Sequence, residues 1–338
     1  MDALAHTNPT PPGAGDIDVA FASDAGARDR VRLAVTIPTF KRPEQLVATL
    51  ESVVTQDAPL PFAVVVMENE TEGAKGAAAA AALLEKRDVP ACVVLAHRRG
   101  NCAAYNAGWW TALDRYPNLD WVLVIDDDEI ARPGWIRAML ETAKRTGADC
   151  TGAPQVPVFE PGANARMADH PVFRAPYDHD GAVPILYSSG NVLLRAALLR
   201  SRGHPWLDER FNFLGGGDAD FYRRCGDRGA RFAWSPAGAL DETVPARRSE
   251  FSWLNARALR NGSISALIER RAARSPADHA LRLGKSLLLL AASAPRSLAL
   301  ALRTRSPSKG LVHMNVAVGR LLMEVGFANE QYRTAERN

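Results

Sequence analysis

Trp121-Val-Leu-Val-Ile125 runs directly into Asp126-Asp127-Asp128-Glu129, and this junction decides the fold. Five consecutive apolar residues bounded by a polar turn read as a buried strand. The strand delivers a cluster of carboxylates at its carboxyl end, which is where open α/β sheets bind ligands. Carboxylates this close repel one another. They are best tolerated in solvent, or around a hard cation such as Mg²⁺ or Mn²⁺. A divalent ion held on one or two carboxylates, with its other positions open, is suited to gripping a diphosphate. The plainer reading of the same residues is an Asp-rich turn.

Working outward, Arg32–Pro38, Phe62–Met67 and Ala91–Leu95 read as three further buried strands. Between them lie helical patterns: Pro43 onward with Leu46, Val47, Leu50, Val53 and Val54 on one face, the Ala-rich run 74–84, and Asn101–Leu113. Strands alternating with helices argue a mainly parallel sheet covered on both faces. Beyond Pro133 the pattern loosens. A helix at 134–145, a strand at Thr151–Val158, a long irregular loop over 159–182 and a strand at Ile185–Leu194 are expected. A helix at 196–202, another opening at Asp218, a short strand at 232–234 and a helical region from Ser252 to the end complete the reading.

The bulk properties bound the function. Of the 338 residues, 47% are hydrophobic and 23% charged, the balance of a globular chain with a substantial core. A net charge of +3 gives no case for nucleic acid as a partner. The four cysteines form no CxxC or Cys/His spacing, so buried thiols in a reducing compartment are expected. Residues 1–30 lack the charged and apolar blocks of a signal peptide and read as a mobile tail.

Two more acidic points stand beside the first. Glu68 follows the second apolar run, where a solvent-facing loop acid and a contact to a base edge or ribose are both open. Gly215-Gly-Gly-Asp-Ala-Asp220 places Asp218 and Asp220 at a helix start, where negative charge is favoured. Simple capping and a general base approached through flexible glycines both fit. No GxGxxG or GxxxxGK[ST] pattern is present, which speaks against a Rossmann dehydrogenase and a P-loop NTPase.

An ordered set of segments resembles the family 2 glycosyltransferases of GT-A fold. Val35-Thr-Ile-Pro-Thr-Phe-Lys-Arg-Pro43 is similar to the first-strand signature, and Val65-Val-Met-Glu-Asn69 to the second. Gly100-Asn-Cys-Ala-Ala-Tyr-Asn-Ala-Gly108 resembles the N-x-A-R-N-x-G helix, with Tyr105 in place of Arg. Ile125-Asp-Asp-Asp128 resembles the DxD motif. Trp206-Leu-Asp-Glu-Arg-Phe211 and Gly215–Asp220 resemble F-D-E-x-F and G-G-E-D-x-D, with Gly217 in place of Glu. The resemblance covers about residues 31–262. A later segment, Glu242-Thr-Val-Pro-Ala-Arg-Arg-Ser249 with Trp253 and Arg257–Gly262, is similar to bacterial exopolysaccharide glucosyltransferases of the succinoglycan type.

The resemblance implies a fold, a reaction and roles. The fold is an α/β GT-A nucleotide-sugar fold, with a mainly parallel sheet, helices on both faces and a C-terminal helical extension. The reaction is an inverting hexose transfer from a nucleotide sugar, such as UDP-glucose, to a saccharide or polyprenyl-linked acceptor. Donor contacts are implied at Pro38, Thr39, Phe40, Arg42, Glu68, Asn106, Asp126, Asp127, Gly190 and Asn191. Asp128 would take the Mg²⁺ or Mn²⁺ and Asp218 would be the catalytic base. Trp206 and Asp220 fall on the acceptor side, and Arg247 and Arg248 are candidate diphosphate contacts. The expected domains are 31–250, divided into a nucleotide-binding half at 31–130 and an acceptor half at 131–250, and a helical region at 251–338. Leu281–Leu302 is rich in Leu and Ala with basic flanks, and Pro295 is expected to cut it short of the roughly 20 residues that span a bilayer. An interfacial helix at the membrane surface and a packed helical hairpin both remain open for it, so the expected location is cytoplasmic, with peripheral attachment to the inner face of the membrane left open. The rivals are a catalytically inactive GT-A scaffold and a sugar nucleotidyltransferase. The second would normally carry a Gly-rich, basic first loop where this chain has Pro38-Thr39-Phe40.

Overall fold

The computed structural model describes residues 12–13, 15–167 and 169–326. In chain order its elements are β1 (Ile17–Ala22), β2 (Leu33–Thr39), α1 (Pro43–Val54), β3 (Phe62–Glu68), α2 (Lys75–Leu84), β4 (Ala91–Ala96), α3 (Asn101–Arg115), β5 (Trp121–Val124), β6 (Glu129–Ala131), α4 (Trp135–Thr146), β7 (Cys150–Gly152), β8 (Gln155–Phe159), β9 (Gly181–Val183), β10 (Val192–Arg195), α5 (Ala196–Arg202), α6 (Gly217–Gly226), β11 (Phe232–Trp234) and β12 (Leu240–Val244). Four helices follow: α7 (Phe251–Ala272), α8 (Pro276–Thr304), α9 (Pro307–Gly310) and α10 (Val312–Glu324).

Nine strands form one mixed sheet in the order β1-β4-β3-β2-β5-β10-β7-β11-β9. Its centre, β4-β3-β2-β5, is parallel, and antiparallel strands are added on either side. The parallel strands are buried along almost their whole length, as expected where helices cover both faces. This is the mixed, helix-flanked sheet of a GT-A-like nucleotide-sugar fold, followed by the helical extension. A smaller sheet is ordered β6-β12-β8, with Glu242 opposite Glu129.

Local chemistry explains the helices that matter for the site. Pro43 starts α1, where its missing N–H costs nothing. Leu46, Leu50 and Val53 then recur on its buried face and join the core with Ile37, Val66, Leu123, Trp135 and Leu140. Several buried positions of α3 are small, among them Ala103, Ala104, Ala107 and Gly108, and an added Cβ at Gly108 would lie 2.3 Å from Met67 Sδ of β3, so the helix lies close against the sheet. The same helix also buries large rings: Trp109 packs with Tyr105, Trp206 and Phe221 at centroid distances of 6.0, 6.0 and 5.6 Å.

Several expectations are corrected. Within the supposed tail, Ile17–Ala22 forms β1, antiparallel to β4. Residues 1–11 and 14, and 327–338 of the expected C-terminal helix, lie outside the described residues. The expected strand 151–158 is two, β7 and β8, separated at Ala153-Pro154. The expected strand 185–194 is a strand only from Val192; the preceding stretch is a loop pinned by Tyr177, whose hydroxyl donates to the Ile185 carbonyl at 2.7 Å. Loop 159–182 contains two 3₁₀ turns, at 165–167 and 171–173. Pro295 does not break α8, which runs for 29 residues.

The chain divides into two compact units. The first comprises residues 1–156, 175–212 and 217–242; the second comprises 157–174, 213–216 and 243–338. In the second unit α7, α8, α9 and α10 pack together. Gly262 of α7 and Gly319 of α10 meet the opposing helix backbone so closely that an added Cβ would lie 2.0 and 1.9 Å from a carbonyl oxygen. Glycine therefore sets this helix contact.

Candidate active site

β5 ends at Val124 and the chain turns through Ile125 and Asp126–Asp128 into β6. The four acids of the turn do different things. Asp127 points inward. It accepts from the Thr39 hydroxyl at 2.8 Å, the Phe40 N–H at 3.4 Å and Arg42 Nη1 at 3.1 Å. The same Arg42 nitrogen reaches Asp128 Oδ2 at 2.8 Å. The end of β2 and the end of β5 are thus tied through one guanidinium and two carboxylates. Thr49 of α1 secures the turn from beneath, donating to the carbonyls of Asp127 and Glu129 at 3.0 and 2.7 Å.

Asp126, half-buried, and Glu129, fully buried, form a second pair. The Asp126 N–H donates to Glu129 Oε2 at 2.7 Å, Tyr105 donates its hydroxyl to Asp126, and Gln155 donates its amide to Glu129. Ser188 in turn donates to the Gln155 carbonyl at 2.8 Å. Burial, then the charge of Asp128, push Asp126 up to about 7 against the pull of the Tyr105 hydroxyl. Burial raises Asp127 to about 6, with Arg42 opposing and Asp128 adding to the rise. Glu129 is raised well above the carboxylate range by burial and by Asp126.

Gly190 stands against this group. A Cβ there would lie 2.8 Å from Gln155 Nε2, 2.9 Å from Asp126 Oδ2 and 3.0 Å from Glu129 Oε1, so any side chain would intrude on the carboxylates. Asn191, next along, has φ of 51°, a left-handed conformation that asparagine tolerates. Its side chain faces away, accepting from Trp135 Nε1 at 2.8 Å and donating to the carbonyls of Pro154 and Gly238 at 2.9 and 3.0 Å.

Asp218 begins α6 and accepts from the Ala219 N–H at 2.8 Å. Tyr222, one turn on, donates to the Ser188 carbonyl at 2.8 Å. Its hydroxyl is raised well above its ordinary value by burial, with Cys150 and Asp218 adding to the rise. Gly217 is where the resemblance expects Glu. An added Cβ would lie 2.5 Å from Cys102 Sγ, so the buried thiol occupies the space a side chain would need.

Other expected site residues do structural work. Glu68 is fully buried and accepts from the Glu70 and Ala77 N–H groups at 2.9 and 3.2 Å, closing the start of α2. Burial raises it and these N–H groups pull it back. Pro38 is partly exposed at the end of β2, Thr39 is buried, and Phe40 lies under both Lys41 and Arg99 at 5.3 Å. Asn106 exchanges two hydrogen bonds with the Leu207 backbone at 2.8 and 2.9 Å. Trp206, expected on the acceptor side, is 1% exposed and donates to the Leu199 carbonyl at 2.8 Å, so it belongs to the core. Asp220 is buried and pairs with Arg224 at 2.8 Å. Arg247 and Arg248 lie on a 3₁₀ turn of the second unit, where Arg248 sits over the Trp253 ring at 5.9 Å.

Sequence reading missed Thr49, Gln155, Ser188 and Tyr222. A lone polar residue carries no signal of which remote carboxylate or carbonyl it will meet.

Residues 34–202 match the family model described as glycosyl transferase family 2. The chain belongs to this family. It is a glycosyltransferase, carrying a sugar from a nucleotide-sugar donor to an acceptor, which removes the inactive scaffold and the nucleotidyltransferase as readings. Over 253 residues this glycosyltransferase is 26% identical to the succinoglycan biosynthesis protein ExoM of Rhizobium meliloti (strain 1021), covering 69% of this chain and 74% of that protein. The mannosyltransferase PcManGT from Pyrobaculum calidifontis, solved in complex with GDP-Man and Mn²⁺, is similar at a TM-score of 0.54 and 20% identity, covering 87% of this chain and 89% of that one. The second likeness concerns the fold.

Proposed function

We propose that this glycosyltransferase moves a hexose from UDP-glucose, or a similar UDP-hexose, to a hydroxyl of a saccharide or polyprenyl-linked saccharide during cell-surface polysaccharide assembly. The observation that carries the reading is the buried acid rim at 126–129, joined through Arg42 to the end of β2. The name of the Rhizobium relative, a succinoglycan biosynthesis protein, supports the polysaccharide context. In this reading residues 31–250 are the catalytic domain, with donor-binding (31–130) and acceptor (131–250) halves, and residues 251–338 hold the enzyme at the cytoplasmic membrane surface.

Among the described residues no three His, Cys, Asp or Glu side chains are grouped as a ready metal cage. The donor chemistry nevertheless fits Mg²⁺ or Mn²⁺. The rim is all oxygen, and burial with mutual repulsion raises Asp126 and Asp127, a cost that a hard cation relieves. Mg²⁺ characteristically uses one or two carboxylates and completes its shell with substrate phosphates. The Mn²⁺ in the mannosyltransferase complex points the same way. Asp128 would hold the ion, which supplies charge neutralisation for the leaving diphosphate.

The remaining chemistry belongs to the chain. Asp218 takes the proton from the acceptor hydroxyl as that oxygen bonds to the anomeric carbon. The bond from that carbon to the diphosphate oxygen breaks on the opposite side, and the nucleoside diphosphate leaves with the electron pair. One displacement inverts the anomeric centre. Asp126 and Asp127, with Thr39, Phe40 and Arg42, shape the donor end of the site, and Gly190 leaves it room.

The test is nucleoside diphosphate release from a panel of UDP- and GDP-sugars, with and without Mn²⁺ or Mg²⁺. UDP release that requires a divalent ion and rises with a saccharide acceptor is expected. A preference for GDP-sugars, or turnover unchanged by chelation, overturns the donor or metal assignment respectively.

A further inference from the structure

Helix α8 is amphipathic in the inverted sense. Its buried residues are Ser286, Ser293 and Ser297, which share one face by helical spacing. On the opposite face Leu281, Leu287, Leu288, Leu298 and Leu302 are each more than half exposed. The positions between them on that face are Gly284, Ala291, Pro295 and Ala299, also exposed, so no charge interrupts the stripe. Among the described residues, six of the eleven exposed large hydrophobic side chains lie on this one helix.

The charges of α8 are arranged along one edge of the stripe. Lys285, Arg296 and Arg303 share it by helical spacing, and all three are exposed. The helix contains one acid, Asp278, which is spent in the capping box with Ser275. Lys285 reaches Glu269 of α7 at 2.6 Å, and Arg282, further round toward the serine face, pairs with Glu324 of α10.

We propose that this face docks on an anionic lipid bilayer, with α8 lying in the plane of the interface. Length and composition alone would allow α8 to cross a membrane. Its inner face is committed to protein, however. Ser286 accepts from Arg320 Nε at 3.2 Å, and Gly310 packs so closely on α8 that an added Cβ would lie 2.6 Å from the Ala301 Cβ. A helix packed on one side and leucine-rich on the other fits half-immersion, with its cationic edge at the headgroups. A protein partner fits less well. The stripe is built of Leu, Ala, Gly and Pro295 and lacks the Trp, Tyr and Arg anchors that dominate protein interfaces. The inference deepens, and rests on, the membrane attachment proposed above for residues 251–338; its observations come from the second unit and not from the proposed donor chemistry.

The full chain should float with vesicles of phosphatidylcholine mixed with phosphatidylglycerol, much less with phosphatidylcholine alone, and less in high salt. L281D/L288D/L298D, all at exposed positions, should lower partitioning at least tenfold. Arg296→Glu with Arg303→Glu should abolish the preference for anionic vesicles. UDP release from a UDP-sugar, measured without membrane, should be unchanged in every variant, which keeps a failed donor assignment separate from a failed docking surface. Wild-type protein that ignores anionic vesicles overturns the proposal. So does a triple variant that floats as well as wild type, and so does a wild-type dimer that the triple variant converts to monomer without any vesicle binding. Quenching by a lipid-embedded quencher of probes on every face of α8, the serine face included, rather than on its leucine face alone, would overturn the in-plane placement.

Discussion

Tyr105 of α3 donates its hydroxyl to the Asp126 carboxylate, joining the helix that follows β4 to the acid rim that follows β5. The family pattern expects a cation at this position, and this chain has a neutral donor. Tyr105→Phe leaves a half-buried carboxylate one partner short, which costs the fold about 1–3 kcal/mol. UDP binding measured by calorimetry should weaken as well, because Asp126 loses the donor that orients it. Unaltered affinity would show that Asp126 does not need this partner when it meets the donor.

Asp218→Asn should reduce transfer by about 10²–10⁴-fold, the usual worth of a positioned general base, while UDP binding persists. Asp128→Ala should do the reverse in part, removing the Mn²⁺ dependence of UDP binding. The two variants separate proton removal from donor capture. Wild-type turnover in Asp218→Asn would end the base assignment.

Gly217→Ala places a methyl 2.5 Å from Cys102 Sγ, and overpacking of this kind costs about 1–3 kcal/mol. Combining it with Cys102→Ala, which removes the sulfur, should recover much of that loss. A double-mutant cycle in urea measures the coupling. Additive losses would mean that the thiol is not what excludes a side chain there.

Trp206→Ala should destabilise the fold by about 3–5 kcal/mol, because the ring is buried and its indole N–H is bonded to Leu199. A Trp that merely stacked on an acceptor sugar would instead raise the acceptor KM and leave the melting temperature nearly unchanged. Thermal unfolding beside acceptor kinetics distinguishes the two.

Asp24 is fully buried and receives Arg115 at 2.8 and 2.6 Å, Tyr116 at 3.0 Å and Arg28 at 3.2 Å. Burial alone would raise its pKa, but these partners outweigh burial and hold it below the ordinary carboxylate value. A carboxyl depressed in the folded state stabilises fully above its unfolded value of about 3.9. That contribution is lost as pH falls below this value and through the folded pKa. Asp24→Asn should therefore cost about 3 kcal/mol at neutral pH and flatten this part of the acid limb of a stability-against-pH curve. An acid limb identical to wild type would assign the loss to other groups.

The parallel centre of the sheet was legible because β2, β3, β4 and β5 are covered on both faces, and their unbroken apolar runs announce it. β1 was not. It is an edge strand with mostly exposed side chains, and its meaning comes from β4, about seventy residues away. Pro295 misled for a related reason. A proline removes one hydrogen bond inside a helix, but α8 tolerates it on an outward face while its other face is packed. At the site, the acid rim and Asp218 could be marked from residue type and spacing. That Asp127 turns inward to Arg42, that Asn106 clasps Leu207 and that Trp206 is core are facts of tertiary neighbourhood. No local pattern encodes them.

Asn191 joins three stretches of chain through one amide: Trp135 at the start of α4, Pro154 and Gly238. It is the rear anchor of the wall whose front is Gly190, and Gly190 abuts Asp126 and Glu129. Damage at position 191 would consequently masquerade as a chemical lesion. Turnover would fall although every reacting group was intact, because the backdrop that keeps two acids at their spacing had come loose.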